Sequence, residues 1–170
     1  VLSFIESHVL NQDSNYDECF WESISQKNGK GVSIAVDKTK SNPFGVPQFT
    51  VATAISTDVS VSATKKSYHK NLQVGETIDF ELKKGETAVI TKYAAQVSTM
   101  NYSAGDLPKI VVERVQTAQK AGFQKLYSAH KKSWATKWKL SDIVIKGDVG
   151  GQRGIRFNIF HLNQTYTGDD

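Results

Sequence analysis

Thr87-Ala88-Val89-Ile90-Thr91-Lys92-Tyr93-Ala94-Ala95-Gln96-Val97-Ser98-Thr99 alternates along its length. Val89, Thr91, Tyr93, Ala95 and Val97 fall on one side of an extended chain, a period of two that specifies a strand. The run is long enough for a central strand of a sheet. The same alternation recurs toward the N-terminus in Ile78, Phe80 and Leu82, in Phe49, Val51, Thr53 and Ile55, and in Val32, Ile34 and Val36. Turn chemistry separates these runs at Lys27-Asn28-Gly29-Lys30-Gly31, Asn42-Pro43-Phe44-Gly45, Val74-Gly75-Glu76 and Lys84-Gly85-Glu86. The Gly-Glu-Thr triplets at Gly75 and Gly85 read as successive strand starts, since nothing else recurs at that period. Closely spaced strands with Gly-punctuated turns and no intervening helix predict a mainly β chain, an antiparallel β-sandwich over residues 1–103.

Beyond that point the period becomes helical. Asp106 is placed to cap a helix that takes Pro108 in its first turn and buries Ile110, Val111, Val115 and Ala118 before Gly122 stops it. A second helix carries Phe123, Leu126, Tyr127, His130, Trp134 and Trp138 on one stripe. The two helices make residues 104–140 a linker. Residues 141–170 open with a short apolar strand, Asp142-Ile143-Val144-Ile145, and a Gly-rich turn from Gly147 to Gly151. A third helix follows, from Gln152 to about Asn163. Ile155, Ile159 and Leu162 share one of its faces and Phe157 and Phe160 another, so it calls for burial on both sides. The chain ends a few residues later at Asp170 and starts abruptly at Val1 within an apolar, strand-like run. The expectation is a segment of a longer protein, with the sandwich incomplete at its N-terminus.

The 170 residues carry a net charge of +4 and the apolar and charged fractions of a soluble globular protein. No apolar run approaches the ~20 residues that cross a bilayer, and residues 1–11 lack the basic start of a secretory signal. No membrane partner is expected. Cys19 is the single cysteine, so an internal disulfide, a zinc ribbon and a redox pair are all excluded, and a cytoplasmic location is the simpler inference. Lysines accumulate between Arg114 and Leu140, where no acidic residue occurs. A polyanion patch and a solvated helix face both fit that composition. Lys125, Lys132 and Lys139 recur every seven residues opposite the apolar stripe, which favours the solvated face and no nucleic-acid partner.

No complete catalytic constellation is visible. His8, His69, His130 and His161 are scattered without a ligand at metal spacing, and His130 lies in an apolar stripe, as a core histidine would. Glycines from Gly147 to Gly154 precede a helix, yet Asp148 puts negative charge where a phosphate would sit. Trp134 and Trp138, four apart on one helical face, suit either packing or stacking on a sugar ring, with packing favoured. Asn163, Gln164 and Tyr166 lie where the third helix gives way to a loop and are the candidate substrate-binding residues.

The segment Trp134-…-Trp138, Asp142-Ile143-…-Ile145-…-Gly147-Asp148, Gln152-…-Arg156-Phe157-Asn158-Ile159-Phe160-His161-Leu162-…-Gln164-Thr165-Tyr166 resembles the family 65 glycoside hydrolase-type inverting disaccharide phosphorylases, the maltose, trehalose and kojibiose phosphorylase family. Asn42-Pro43-Phe44-Gly45-Val46-Pro47-Gln48-Phe49 looks most like its maltose phosphorylase branch. The resemblance implies a β-sandwich joined by a helical linker to an (α/α)6 barrel, whose first inner helix would be the helix from Gln152. It also implies that the general-acid glutamate, the phosphate site and the tryptophan-aspartate substrate motif lie beyond Asp170, so no catalytic residue is assigned here. The implied partners are the remainder of the parent chain, a disaccharide and inorganic phosphate, with no metal or organic cofactor required. A scaffold for that barrel, with a homodimer interface, is the leading expectation. The alternative is a stand-alone carbohydrate-binding module.

Overall fold

Hydrogen bonding gathers the alternating runs into two antiparallel sheets. The computed structural model describes residues 1–9 and 19–165. Among them the order is β1 (Leu2–Glu6), β2 (Trp21–Gly29), β3 (Val32–Thr39), β4 (Thr50–Val59), β5 (Thr64–Lys70), β6 (Gln73–Asp79), β7 (Ile90–Ser98), α1 (Leu107–Ala121), α2 (Phe123–Ser141) and α3 (Val149–Thr165). The larger sheet runs β2-β3-β4-β7 and the smaller β1-β6-β5. The chain forms two compact units, Val1–Phe123 and Gln124–Asp170. The expected β-rich chain followed by helices is what the structure contains.

Register decides which side chains meet. Ile34 pairs with Ala54 and Val36 with Ala52, while Ala52 and Ala54 pair with Val97 and Ala95. These residues therefore share one face of the larger sheet. α1 lies across that face, and Leu107, Val111 and Val115 are fully buried there beside Val32, Val36, Ala52, Ala54 and Tyr93. Each such aliphatic side chain contributes roughly 1.5–3 kcal/mol on burial. Asp106 stands at the expected N-cap position but makes no side-chain capping bond. Its carbonyl instead accepts from Ile110 N at 3.0 Å. Gly122 ends α1 at φ 77°, its N–H reaching the carbonyls of Ala118 and Gln119.

The other face of the larger sheet meets the smaller sheet, and much of that seam is polar. The Thr57 hydroxyl donates to Glu76 and accepts from Lys65 Nζ (2.9 Å), which also reaches the Thr57 carbonyl and lies 3.6 Å from Glu76. Gln26 Nε2 donates to Ser7 Oγ at 3.0 Å, and Gln26 Oε1 lies 2.8 Å from His69 Nε2. Val74 and Ile78 from β6 supply buried apolar contact.

Several elements differ from expectation. Val74-Gly75-Glu76 is no turn: it lies inside β6, with Gly75 opposite Phe4 and Tyr68. Glycine is required there by close approach, since a Cβ would come within 2.1 Å of the Ser3 carbonyl and 2.6 Å of Phe4 Cα. The hairpin turn comes earlier, at Asn71 with φ 53°, and Leu82 is exposed beyond the strand's end. The triplet at Gly85 does mark a turn, with Glu86 N donating to the Lys83 carbonyl. Lys30 and Gly31, at φ 52° and 74°, form the tight β2–β3 hairpin that a twisted pair favours. β7 flanks the larger sheet instead of running through its centre. β5, Thr-Lys-Lys-Ser-Tyr-His-Lys, has no apolar alternation and borders the smaller sheet with Lys66 and Lys70 exposed.

Gly75→Ala is expected to cost about 3 kcal/mol or more, because β1 must leave β6 to admit the methyl group. Urea denaturation measures it, and an unchanged midpoint would remove this contact from the account.

Candidate functional site

The residues singled out near the C-terminus belong to the second unit, built by α2, the connection 142–148 and α3. No residue of α2 is buried, and α3 buries Ile159. The expected core position of His130 is not observed: it is exposed, its ring 6.2 Å from that of Trp134. Trp134 stacks on Phe160 at 5.0 Å and an interplanar angle of 29°, so this ring is committed to joining α2 to α3. Phe157 is 62 % exposed and Leu162 59 %, which leaves two sides of α3 apolar and open.

The apolar run Ile143-Val144-Ile145 is not a strand. Two of its backbone polar groups are met by one side chain, since Gln152 Nε2 donates to the Ile143 carbonyl (2.8 Å) and Gln152 Oε1 accepts from Ile145 N (2.7 Å). A glutamine on a helix thus replaces the neighbouring strand that the sequence pattern predicts. Arg156 secures the same connection through two parallel bonds to Asp142, at 2.9 and 2.7 Å. At the start of α3, Asp148 Oδ1 accepts from Gly151 N at 2.9 Å. That carboxylate occupies the helix N-terminus an anion would use.

Asn163 is half-buried and its amide donates to the Ile159 carbonyl (3.0 Å) and to Ser141 Oγ (3.4 Å), while Lys137 approaches the Asn163 carbonyl at 3.5 Å. Gln164 is exposed on the last turn of α3. Tyr166, the third candidate, lies outside the described residues. The structure thus joins Asn163 to α2 and does not bring Gln164 to it.

Trp138, Asp142, Arg153, Arg156, Phe157 and Phe160 line an open hollow of about 550 Å³. Aromatic rings and a charged pair could receive a polar ring, but the chemistry stops there. Asp142 is the one carboxylate lining it, and the hydrogen bond from Arg156 holds its pKa below the ordinary 3.8. That lowering favours the carboxylate over the acid form, which suits Asp142 to pairing with Arg156. No group of three His, Cys, Asp or Glu side chains among the described residues could hold a metal ion. No helix among them is long and apolar enough to cross a membrane.

Two antiparallel sheets followed by helices define a mainly β class of domain with C-terminal helices. Glycosyl hydrolase family 65, N-terminal domain, matches residues 1–137, and the chain belongs to that family. It is 28% identical over its full length to maltose phosphorylase of Bacillus subtilis (strain 168), of which it covers 22%. It is 34% identical over 167 residues to alpha,alpha-trehalose phosphorylase of Geobacillus stearothermophilus, spanning 97% of this chain and 20% of that one. Against alpha,alpha-trehalose phosphorylase of Thermoanaerobacter brockii the identity is 26%, over 99% of this chain and 22% of the relative. The chain spans about a fifth of the length of the curated relatives it matches.

Gln152→Leu is expected to speed exchange of the Ile145 amide roughly fivefold to tenfold, the loss of one hydrogen bond worth about 1 kcal/mol. Hydrogen–deuterium exchange by NMR reads this directly, and unchanged protection would show that the connection is held by other contacts. The Asp142–Arg156 pair sets a pH dependence as well. Its contribution is present above pH 3.8 and fades as the pH falls through the lower folded-state pKa. Protection of the connection should therefore decline in that acid range, and Asp142→Asn should remove the decline.

Proposed function

We propose that the chain is a non-catalytic N-terminal portion of an inverting disaccharide phosphorylase whose parent enzyme converts maltose and phosphate to β-glucose 1-phosphate and glucose. The observation that carries this reading is the family match over residues 1–137, together with relatives named disaccharide phosphorylases of which the chain covers about a fifth. The exposed apolar faces of α2 and α3 support it, as surfaces that a catalytic barrel would cover. On this reading residues 1–103 are the sandwich, 104–140 the linker and 141–170 the start of the barrel.

The parent reaction is a single displacement. A carboxylic acid with a raised pKa protonates the glycosidic oxygen while inorganic phosphate attacks the anomeric carbon from the opposite face. Phosphate is already an anionic nucleophile, so no catalytic base is required, and no metal or organic cofactor enters. The acid is supplied by the barrel. Asn163, Gln164 and Tyr166 are assigned to the rim of the disaccharide pocket, where α3 passes into its following loop. The parent works in the cytoplasm as a homodimer.

Incubated with maltose and phosphate, the 170-residue chain should form no glucose 1-phosphate. A longer reading frame that includes the barrel should form it, with the β anomer visible by proton NMR. Turnover by the short chain would overturn the non-catalytic assignment. An α anomer, or phosphorolysis of trehalose in preference to maltose, would overturn the proposed parent reaction.

A further inference from the structure

The first unit contains a cleft of about 190 Å³ between its two sheets, walled by Ile5, Ser7, Trp21, Asp37, Thr53 and Gln96. Its most telling group is Asp37. One side of this half-buried carboxylate is bonded to the Ser7 and Ser23 hydroxyls. Asp37 Oδ1 is shielded from solvent and has no hydrogen-bond partner among the described residues. Elsewhere in the seam the Lys65–Thr57–Glu76 and Ser7–Gln26–His69 groups are paired, while Ser3 Oγ and Asn28 Oδ1 are also buried without a partner. An unmatched carboxylate oxygen in such a place is costly, and burial raises the Asp37 pKa in consequence.

The other polar groups define what the oxygen awaits. Gln96 Nε2 donates to Thr53 Oγ1 at 3.1 Å, which leaves the Thr53 hydroxyl proton and the second Gln96 amide proton as donors and the Gln96 amide oxygen as an acceptor. Glu6 also borders the cleft, but its two oxygens accept from His8 N and Gln73 Nε2. Two acceptors, Asp37 Oδ1 and the Gln96 amide oxygen, and two donors, the Thr53 hydroxyl and the second Gln96 amide proton, therefore border a space walled on its other sides by Trp21, Ile5 and Val51. An anion would meet the Asp37 charge. A metal ion would find two carboxylates, Asp37 and Glu6, and no group of three His, Cys, Asp or Glu side chains among the described residues. An apolar molecule would leave Asp37 unmatched. Neighbouring ring hydroxyls, each able to donate and to accept, suit these donors and acceptors, while a ring's C–H face suits the apolar wall. The volume corresponds to roughly six waters at about 30 Å³ each, the size of one sugar ring.

From this we infer that the cleft between the sheets is a non-catalytic binding site for a single neutral pyranose. The site uses no residue of the second unit and requires no phosphorylase chemistry, so it stands or falls apart from the parent reaction. One ring fills it, and maltose gains nothing over glucose.

The test is an amide-shift NMR titration of the purified chain with glucose, with maltose, and with ethanolamine as a small ammonium probe. Saturable shifts at Asp37, Thr53 and Gln96 are expected for glucose at millimolar concentration, with maltose no tighter. Asp37→Asn should weaken binding at least tenfold, and Gln96→Leu, on an exposed position, should weaken it severalfold with the amide spectrum otherwise kept. Trp138→Ala should leave it unchanged. Absence of saturable shifts with either sugar, shifts that saturate first with ethanolamine, or binding lost with Trp138→Ala and retained in Asp37→Asn would each overturn the assignment.

Discussion

The first unit is organised by Leu107, Val111 and Val115 of α1 lying on the alanine strip Ala52 and Ala54. Small side chains on β4 let the helix axis come close, and the three aliphatic residues then lose all contact with water. With the smaller sheet on the opposite face, β3 and β4 are covered from both sides. That explains why β3 buries Val32, Ser33, Ala35 and Val36 in near succession instead of every second residue. It also explains why the first compact unit extends to Phe123, well past the last strand. Without α1 the apolar face of the larger sheet would lie open.

Much of this was legible in the sequence because each correct element presents a period. Tyr93, Ala95 and Val97 alternate because one side of β7 meets α1, and Val111 and Val115 recur at helical spacing because they meet the same surface. Elements held by the backbone left no such trace. β5 pairs with β6 along its whole length yet offers only one aromatic and no aliphatic residue, so it could not be found by apolar pattern. Gly75 resembles a turn in sequence because both needs, left-handed backbone and close approach, select the same residue. Ile143–Ile145 has the composition of a strand, but its pairing partner is the amide of Gln152, which no pattern of strands could reveal. The Asp37 cleft was likewise hidden. It gathers residues from β1, β2, β3, β4 and β7 whose proximity exists only once the registers are fixed.

The second unit has a different character. Its hydrogen bonds are many and specific, while its apolar side chains remain largely uncovered. Asp142, Arg156, Gln152 and Asp148 fix the connection between α2 and α3 through polar contacts, beside the Trp134–Phe160 stack that joins the helices themselves. The carboxylate that borders its hollow is held ionised, and the ring of Trp134 is already stacked.

The lysines of β5 have a consequence for how the chain behaves at high concentration. An outermost strand with unpaired N–H and C=O groups is a template on which another copy could dock and extend the sheet without limit. Two β5 strands approaching edge to edge would bring Lys66 and Lys70 of one molecule against those of the next, with no acidic residue in the segment to neutralise them. Repulsion of like charges would meet every such encounter, and this flank of the smaller sheet is thereby guarded against fibrous growth by its own side chains.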